Sequence, residues 1–169
     1  MTTLFLVRHG ETVDNARKVM QGQTQGELNP TGLLQAREVA RQMAGEPLHA
    51  IVASDLRRSL QTAEIIARPH RLPVVTTPLL RERDWGSFTG CYIPALKGRP
   101  WPDDIETLDH LVGRARSFLD FIARSYPDSR VLAVGHGIIN KAIQAAHYDK
   151  AMGDITPMAN AEVRVLTIS

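Results

Sequence analysis

Two of the six histidines stand where a sheet-based enzyme would place its chemistry. His9 follows the apolar run at 4–7 and precedes glycine, and His136 follows the apolar run at 131–134 between two glycines. Such short apolar runs predict buried strands, and strand ends in an open α/β sheet face the ligand crevice. The pattern predicts that these two histidines share one pocket, although Gly-His-Gly also fits an ordinary turn. The other four histidines are interpreted as structural or exposed.

Arginine side chains accompany the first histidine and a second predicted strand end. Arg8 directly precedes His9, and Arg57 and Arg58 fall on the first turn of a helix predicted after a strand at 50–53. A helix N-terminus offers free N–H groups to an anion, and the planar fork of arginine suits bidentate phosphate recognition. A single arginine is usually a solvated surface residue. Arginines at two strand ends, beside histidines, indicate a phosphate site.

Other kinds of catalytic site find little support in the chain. Cys91 is followed six positions later by Lys97, so the cysteine–five residues–arginine loop of thiol phosphatases is absent. A Gly-x-Ser-x-Gly elbow, a Walker A loop and a Gly-x-Gly-x-x-Gly turn are also absent. The sequence has no His-Glu-x-x-His motif, and Asp103 and Asp104 are interpreted as a helix cap, so no metal and no cofactor are expected. Histidine is the best candidate nucleophile.

Composition limits the class of protein. The chain has 169 residues, 43% hydrophobic and 22% charged, with a net charge of +2, which predicts one ordinary globular domain over 1–169. Its 20 Lys and Arg residues are dispersed and only 5% of residues are aromatic, so nucleic-acid binding is not expected. No apolar run approaches the ~20 residues of a membrane span, and no signal peptide is visible. We therefore expect a cytoplasmic protein with no membrane partner; its oligomeric state is not predicted.

Strands and helices alternate along the predicted chain, which favours a three-layer α/β/α fold around a mostly parallel sheet. Residues 78–103 hold four prolines and both tryptophans. This composition predicts a loop, with a short lid at about 86–103. The predicted strands lie at 4–7, 50–53, 74–77, 131–134 and 163–168. The predicted helices begin at Pro30 after an Asn29 cap, after Ser54 or Asp55 as a cap, at Asp103 or Asp104, and at about Ile138.

Several blocks in this order resemble the histidine phosphatase superfamily, also called the phosphoglycerate mutase-like family. Arg-His-Gly alone would be a weak signal, but the blocks run from residue 4 to residue 168. They are Arg8-His9-Gly10-Glu11-Thr12-x-x-Asn15, Gln21-Gly22, Leu28-x-x-x-Gly32-x-x-Gln35-Ala36, Ser54-x-Leu56-x-Arg58-x-x-Gln61-Thr62-Ala63, Leu80-x-Glu82-Arg83-x-Trp85-Gly86-x-x-x-Gly90 and Val134-Gly135-His136-Gly137, with weaker echoes at Glu106-Thr107-Leu108, Arg114 and Asn160.

The resemblance implies phosphoryl transfer through a phosphohistidine at His9, by a metal-independent phosphatase. Glu82 would protonate the leaving oxygen and then accept a proton from water; without the resemblance, a surface carboxylate paired with Arg81 or Arg83 would be the better interpretation. The catalytic residues implied are Arg8, His9, Arg58, Glu82 and His136. The residues implied for binding phosphate or substrate are Arg8, Asn15, Gln21, Gly22, Arg58, Arg83, His136 and Gly137.

Three functions remain open at this point. Hydrolysis of a small phosphomonoester is preferred to a mutase reaction, because only fifteen residues separate Gly90 from Glu106 and the resembling mutases carry larger enclosing insertions. A non-catalytic phosphate-binding protein is the third interpretation, and the presence of all five catalytic residues weighs against it. Candidate substrates are a sugar phosphate, a phosphorylated cobalamin precursor or a protein phosphohistidine; Glu82 argues against the last.

Overall fold

The computed structural model describes residues 1–169 and contains one central sheet of five strands. The strands are β1 (Thr2–Arg8), β2 (Ala50–Ser54), β3 (Val74–Thr77), β4 (Arg130–Gly135) and β5 (Val163–Ile168). They are ordered β3-β2-β4-β1-β5 across the sheet. All neighbouring pairs are parallel except β1 with β5. The predicted mostly parallel sheet is thus confirmed, with one antiparallel strand at its edge.

Helices cover both faces of this sheet. They are α1 (Val13–Arg17), α2 (Pro30–Met43), α3 (Arg57–Ala67), α4 (Leu108–Ser125) and α5 (Gly137–Tyr148). Successive side chains of a strand point to opposite faces, and β1 follows this rule. Leu4 and Leu6 pack with buried residues of α4 and α5, whereas Phe5 and Val7 pack with those of α2 and α3. The chain therefore folds as the predicted three layers.

The starts of two helices differ from the sequence prediction. The residue before α3, Leu56, supplies no side-chain cap; Ser54 Oγ accepts a hydrogen bond from the Leu56 N–H, and the Asp55 carboxylate binds Arg81 instead. The first N–H of α3 is bound by the Gln25 side chain, 3.0 Å away, which lies 32 residues earlier in the sequence. A cap supplied from so far along the chain leaves no local sequence signal.

α4 begins at Leu108, later than predicted, because Thr107 is its cap and accepts a hydrogen bond from the His110 N–H. Asp104, predicted to open this helix, instead accepts hydrogen bonds from the backbone and hydroxyl of Ser87. It therefore fastens the predicted lid segment to the stretch before α4. The predicted Asn29 cap of α2 is present and accepts from the Gly32 N–H.

The connection between β3 and α4 contains only short 3-10 turns. They lie at Pro78–Leu80, Gly86–Phe88 and Ile93–Leu96, so residues 78–103 hold no long element, as the sequence indicated. Short α1 was not predicted; its sequence signal is a capping box in which Thr12 and Asn15 bind each other's backbone N–H groups. None of the helices combines the length and the apolar character that a membrane crossing requires.

Candidate active site

Parallel pairing of β1 with β4 brings the two predicted histidines together. Arg8 is in register with Gly135, so His9 and His136 leave the sheet side by side. Their ring centroids are 5.0 Å apart, at an interplanar angle of 65°, and both residues are buried. A side chain at Gly135 would collide with Asn140 Oδ1, which explains the glycine before His136. The sheet register therefore brings the two histidines side by side.

His9 is held in one tautomer. Its Nδ1 lies 2.7 Å from the Gly10 carbonyl oxygen; because a carbonyl can only accept, Nδ1 carries the hydrogen and Nε2 has the free lone pair. Burial, assisted by the charges of Arg58 and Arg8, lowers the pKa of His9 to about 3, against a smaller opposing effect of the Gly10 bond. The ring is thus neutral near pH 7, as a nucleophile must be.

Arg58 is a buried cation without an anionic partner. It is 1% exposed, and its terminal nitrogens donate only to backbone carbonyls, those of Gly22 at 2.7 Å, Gln25 at 3.3 Å and Thr24. Burial is the main cause that lowers the pKa of Arg58, to about 10. An arginine therefore stays protonated here at pH 7. Its buried Nε has no partner.

Arg8 repeats this arrangement on the other side of the histidines. Its guanidinium donates to the Met158 carbonyl oxygen at 2.7 Å, its Nε is buried without a partner, and burial lowers its pKa. Gly137 lies against this guanidinium, since a Cβ placed there would be 3.4 Å from Arg8 Cζ. One buried and one partly buried guanidinium without a salt-bridge partner are costly to desolvate, and an anion in the cavity would compensate both charges.

His136 presents one nitrogen to the protein and keeps the other free. Its Nε2 lies 2.9 Å from Ser54 Oγ and 3.1 Å from Ser59 Oγ, while Nδ1 is buried without a partner. Burial, followed by the charge of Arg58, lowers the pKa of His136 well below 6.5. Because a hydroxyl can both donate and accept, the two serines leave His136 able to donate from Nδ1.

Glu82 is fixed at the first turn of α5. Its carboxyl oxygens accept hydrogen bonds from the N–H groups of Arg83 at 2.8 Å, Ile139 at 3.0 Å and Ile138 at 3.1 Å. Arg81 binds Asp55 instead, and the side chain of Arg83 donates to the Glu106 carbonyl oxygen. The alternative of a surface carboxylate paired with either arginine is therefore wrong.

A cavity of about 230 Å³ collects most of the predicted site. The residues of the predicted site that line it are Arg8, His9, Asn15, Gln21, Gly22, Arg58 and Glu82. His136 and Gly137 lie next to it, through the His9 ring and the Arg8 guanidinium respectively. A larger cavity of about 500 Å³ is lined by neither of the paired histidines. No group of three or more His, Cys, Asp or Glu side chains is arranged to hold a metal ion.

Arg83 is the predicted binding residue that the structure places elsewhere. Its guanidinium lies over both Trp85 and Trp101, 4.9 Å and 5.3 Å from the two ring centroids, and it does not line the smaller cavity. Only its backbone contributes, through the bond to Glu82. This side chain therefore contacts Trp101 of the predicted lid segment and does not face the cavity.

Four apolar side chains of the cavity were not predicted as site residues. They are Met20, Trp85, Ile93 and Ile138. Trp85 belongs to one of the sequence blocks that resemble the family, so the sequence did contain a signal that could have identified it as a site residue. Met20 and Ile93 come together through backbone bonds between neighbouring residues, Met20 N–H to the Cys91 carbonyl and Ile93 N–H to the Lys18 carbonyl. That long-range pairing has no local pattern, so sequence reasoning missed both.

Comparison with known proteins agrees with this geometry. The model of the histidine phosphatase superfamily (branch 1) matches residues 4–169. An uncharacterized phosphatase, PhoE, of Bacillus subtilis (strain 168) is 40% identical over 141 residues, which are 81% of this chain and 72% of that protein. A metal-independent phosphoserine phosphatase of Arabidopsis thaliana is 35% identical over 161 residues, covering 85% of this chain and 67% of the relative.

Among solved structures, a mycobacterial glucosyl-3-phosphoglycerate phosphatase complexed with VO3 superimposes with a TM-score of 0.89 at 28% identity. The match covers 98% of this chain and 92% of that one. The fold and the family therefore agree with what the paired strand ends and their side chains indicate.

Proposed function

This chain belongs to the histidine phosphatase superfamily, and from that premise we propose that it hydrolyses a small phosphomonoester through a phosphohistidine formed at His9. The observation that carries the proposal is the pair of arginines, the partly buried Arg8 and the buried Arg58, whose side chains donate only to carbonyl oxygens beside two neutral histidines. A phosphoryl group supplies the missing negative charge, and arginine is the side chain best matched to its oxygens.

The first step transfers the phosphoryl group to the enzyme. The Nε2 lone pair of His9 forms an N–P bond while the P–O bond to the leaving group breaks, and Glu82 gives its proton to the departing oxygen. Arg8, Arg58 and the Nδ1 of His136 bind the equatorial oxygens, where charge accumulates. Such a reaction depends mostly on positioning and charge stabilisation, and the buried donors satisfy both needs.

The second step returns the enzyme to its starting state. Water attacks phosphorus, Glu82 accepts its proton, the N–P bond breaks and inorganic phosphate leaves. The bond from His9 Nδ1–H to the Gly10 carbonyl stabilises the positive charge that the ring carries while phosphorylated. Asn15, Gln21 and Gly22 line the same cavity and are proposed to bind the phosphate or the neighbouring substrate atoms.

Hydrolysis is preferred to phosphoryl return. The segment at 86–103 is short and contains only 3-10 turns, so it is suited to admitting water and releasing a dephosphorylated product. A phosphoglycerate mutase reaction is the alternative, and interconversion of 2- and 3-phosphoglycerate would establish it. Relatives named for phosphoserine and for glucosyl-3-phosphoglycerate support a small phosphorylated metabolite as substrate. A cytoplasmic location is part of the proposal and is compatible with the free thiol of Cys91.

The decisive experiment looks for the covalent intermediate directly. Protein treated with a chelator is mixed with radiolabelled phenyl phosphate and quenched within a single turnover. We expect inorganic phosphate to be released and a transient, acid-labile label on the chain, with His9→Asn forming no label. Phosphate release without any labelled intermediate would contradict the phosphohistidine, and the absence of release would contradict the phosphatase. A panel of phosphorylated metabolites then ranks substrates by kcat/KM.

A further inference from the structure

One arginine that does not line the 230 Å³ cavity donates hydrogen bonds to the backbone of the segment that carries Glu82. Arg114 lies on α4, and its guanidinium donates to the carbonyl oxygens of Leu79 at 3.0 Å, Arg81 at 2.6 Å and Glu82 at 3.4 Å. Its side chain is only 12% exposed. A single planar fork thus contacts most of the turn from 79 to 82, which belongs to no strand or α-helix.

The same arginine is itself oriented by Glu106. The Glu106 carboxylate is 5% exposed and accepts from Arg114 at 3.0 Å and 2.8 Å, and from the Asp84 N–H at 3.0 Å. The backbone of Glu106 also donates to the Asp84 carbonyl at 2.9 Å and accepts from Arg83 Nε at 2.9 Å. Hydrogen bonds from Arg114 and Glu106 therefore hold the chain on both sides of Glu82, at 79–81 and at 83–84.

A buried ion pair of this kind contributes little net stability, since desolvation offsets its attraction. Its hydrogen bonds, however, fix the geometry of the groups that they reach. Arg81 and Asp55 form a second pair on the same segment, but their side chains are 39% and 30% exposed. The less exposed Arg114–Glu106 pair, with its several backbone contacts, is the stronger constraint on where the Glu82 carboxyl points.

We propose that Arg114 and Glu106 are positioning residues for the acid–base step of Glu82. The inference rests on the proposed phosphatase function. Both residues line the larger cavity of about 500 Å³ and not the 230 Å³ cavity that holds His9, so neither is placed against the phosphoryl group. Arg114 acts by holding the carbonyls around Glu82, and Glu106 acts by orienting Arg114.

A comparison of substrates with different leaving groups distinguishes a positioning role of Arg114 from a general structural one. A nitrophenyl phosphate departs easily without a proton, whereas an alkyl phosphate needs the acid. A misplacement of about 1 Å can cost about a hundredfold. We expect Arg114→Gln to lower kcat for alkyl phosphate by about ten- to a hundredfold and for nitrophenyl phosphate by less than about threefold. A merely structural role would lower both rates by one factor.

A double-mutant comparison makes the test specific to Glu82. In a Glu82→Gln background, where the acid is absent, Arg114→Gln should cause little further loss on alkyl phosphate, because residues that act as a unit are not additive. Arg116→Gln is the matched control, since it removes the same charge from an exposed position of the same helix. Circular dichroism and thermal unfolding confirm that each variant is folded.

Two further outcomes keep the inference falsifiable. If Arg114→Gln does not fold, Glu106→Gln, which preserves the shape of the side chain, must give the same leaving-group pattern. Equal losses on both substrates, or losses that multiply with those of Glu82→Gln, would overturn the positioning role while leaving the phosphatase intact. A wild-type protein that hydrolyses neither phosphate would overturn the proposed function and this inference with it.

Discussion

Two regions that contribute to the same cavity are built in different ways. The phosphate cradle, defined here as Arg8, His9, Arg58 and His136, arises from strand ends and a helix start and is largely buried. The lid, residues 86–103, contains short 3-10 turns and exposes Tyr92, Ile93 and Trp101 by 54%, 45% and 59%. The cradle's geometry follows from sheet register, whereas the lid's depends on stacked side chains.

This difference suggests a division of roles: the cradle would catalyse the reaction, and the lid would select the substrate. Buried donors with fixed geometry stabilise the charge that every phosphomonoester shares. We expect the apolar and exposed side chains of the lid to contact mainly what differs between substrates, the leaving group. Changes in the cradle should therefore abolish hydrolysis of all phosphates, and changes in the lid should alter the ranking among them.

The largest effect is expected for the nucleophile. His9→Ala removes the only atom proposed to form a bond with phosphorus, so kcat on phenyl phosphate should fall by at least about a thousandfold. Steady-state phosphate release measures it. Because the cavity left by His9 lies between two arginines, the variant should still bind vanadate in calorimetry. An active His9→Ala protein would show that the cradle is not where the reaction occurs.

The next effect concerns the cradle's charge. Arg58→Gln removes a buried donor to the phosphoryl oxygens and should lower kcat/KM by about a hundredfold. It should also abolish the rise in Tm that inorganic phosphate gives the wild type, because binding no longer favours the folded state as strongly. Its neighbour Arg57, whose side chain is 56% exposed and paired with Glu27, is the matched control. Equal losses in Arg57→Gln would point to net charge and not to the cradle.

The sequence predicted the side chains of the cradle and the loop character of residues 86–103, but not the side-chain contacts around that segment. Apolar runs before His9 and His136 indicated strand ends, and parallel strands bring such ends to one edge of the sheet. Arg83 carried the same residue type as Arg8 and Arg58, yet its guanidinium stacks on Trp85 and Trp101. Nothing local distinguishes an arginine that faces an anion from one that faces an indole.

Helix starts show the same limit. The Asn29 cap lies three residues from its partner N–H and was predicted, whereas the cap of α3 comes from Gln25 across the fold. Cys91 and Lys18 likewise bring the apolar wall of the cavity together through long-range backbone bonds. Sequence reasoning therefore succeeded where secondary structure alone places a residue and failed where tertiary contacts place it.

A third prediction tests the neutrality of the cradle histidines. The pKa of His9 is about 3 in the folded protein, against 6.5 for a histidine without these surroundings, so between these values the unfolded chain binds more protons. The free energy of unfolding must therefore fall as pH falls, by about 2 kcal/mol between pH 7 and pH 5 from this residue alone. Urea unfolding at several pH values should show a shallower pH dependence for His9→Asn. Parallel curves for the two proteins would contradict a neutral His9.

The smallest effect should come from the lid. Trp101 stacks edge-on against Trp85 at 5.4 Å and lies 5.3 Å from the Arg83 guanidinium, an exposed contact worth about 1 kcal/mol. Trp101→Ala should lower stability by about that amount and change kcat/KM on ethyl phosphate by less than about threefold. Because Arg83 then loses one of its two stacking partners, KM for bulky aryl phosphates should change more than KM for ethyl phosphate. A uniform loss on both would mean that the lid supports the cradle, and the separation of reaction from substrate would fail.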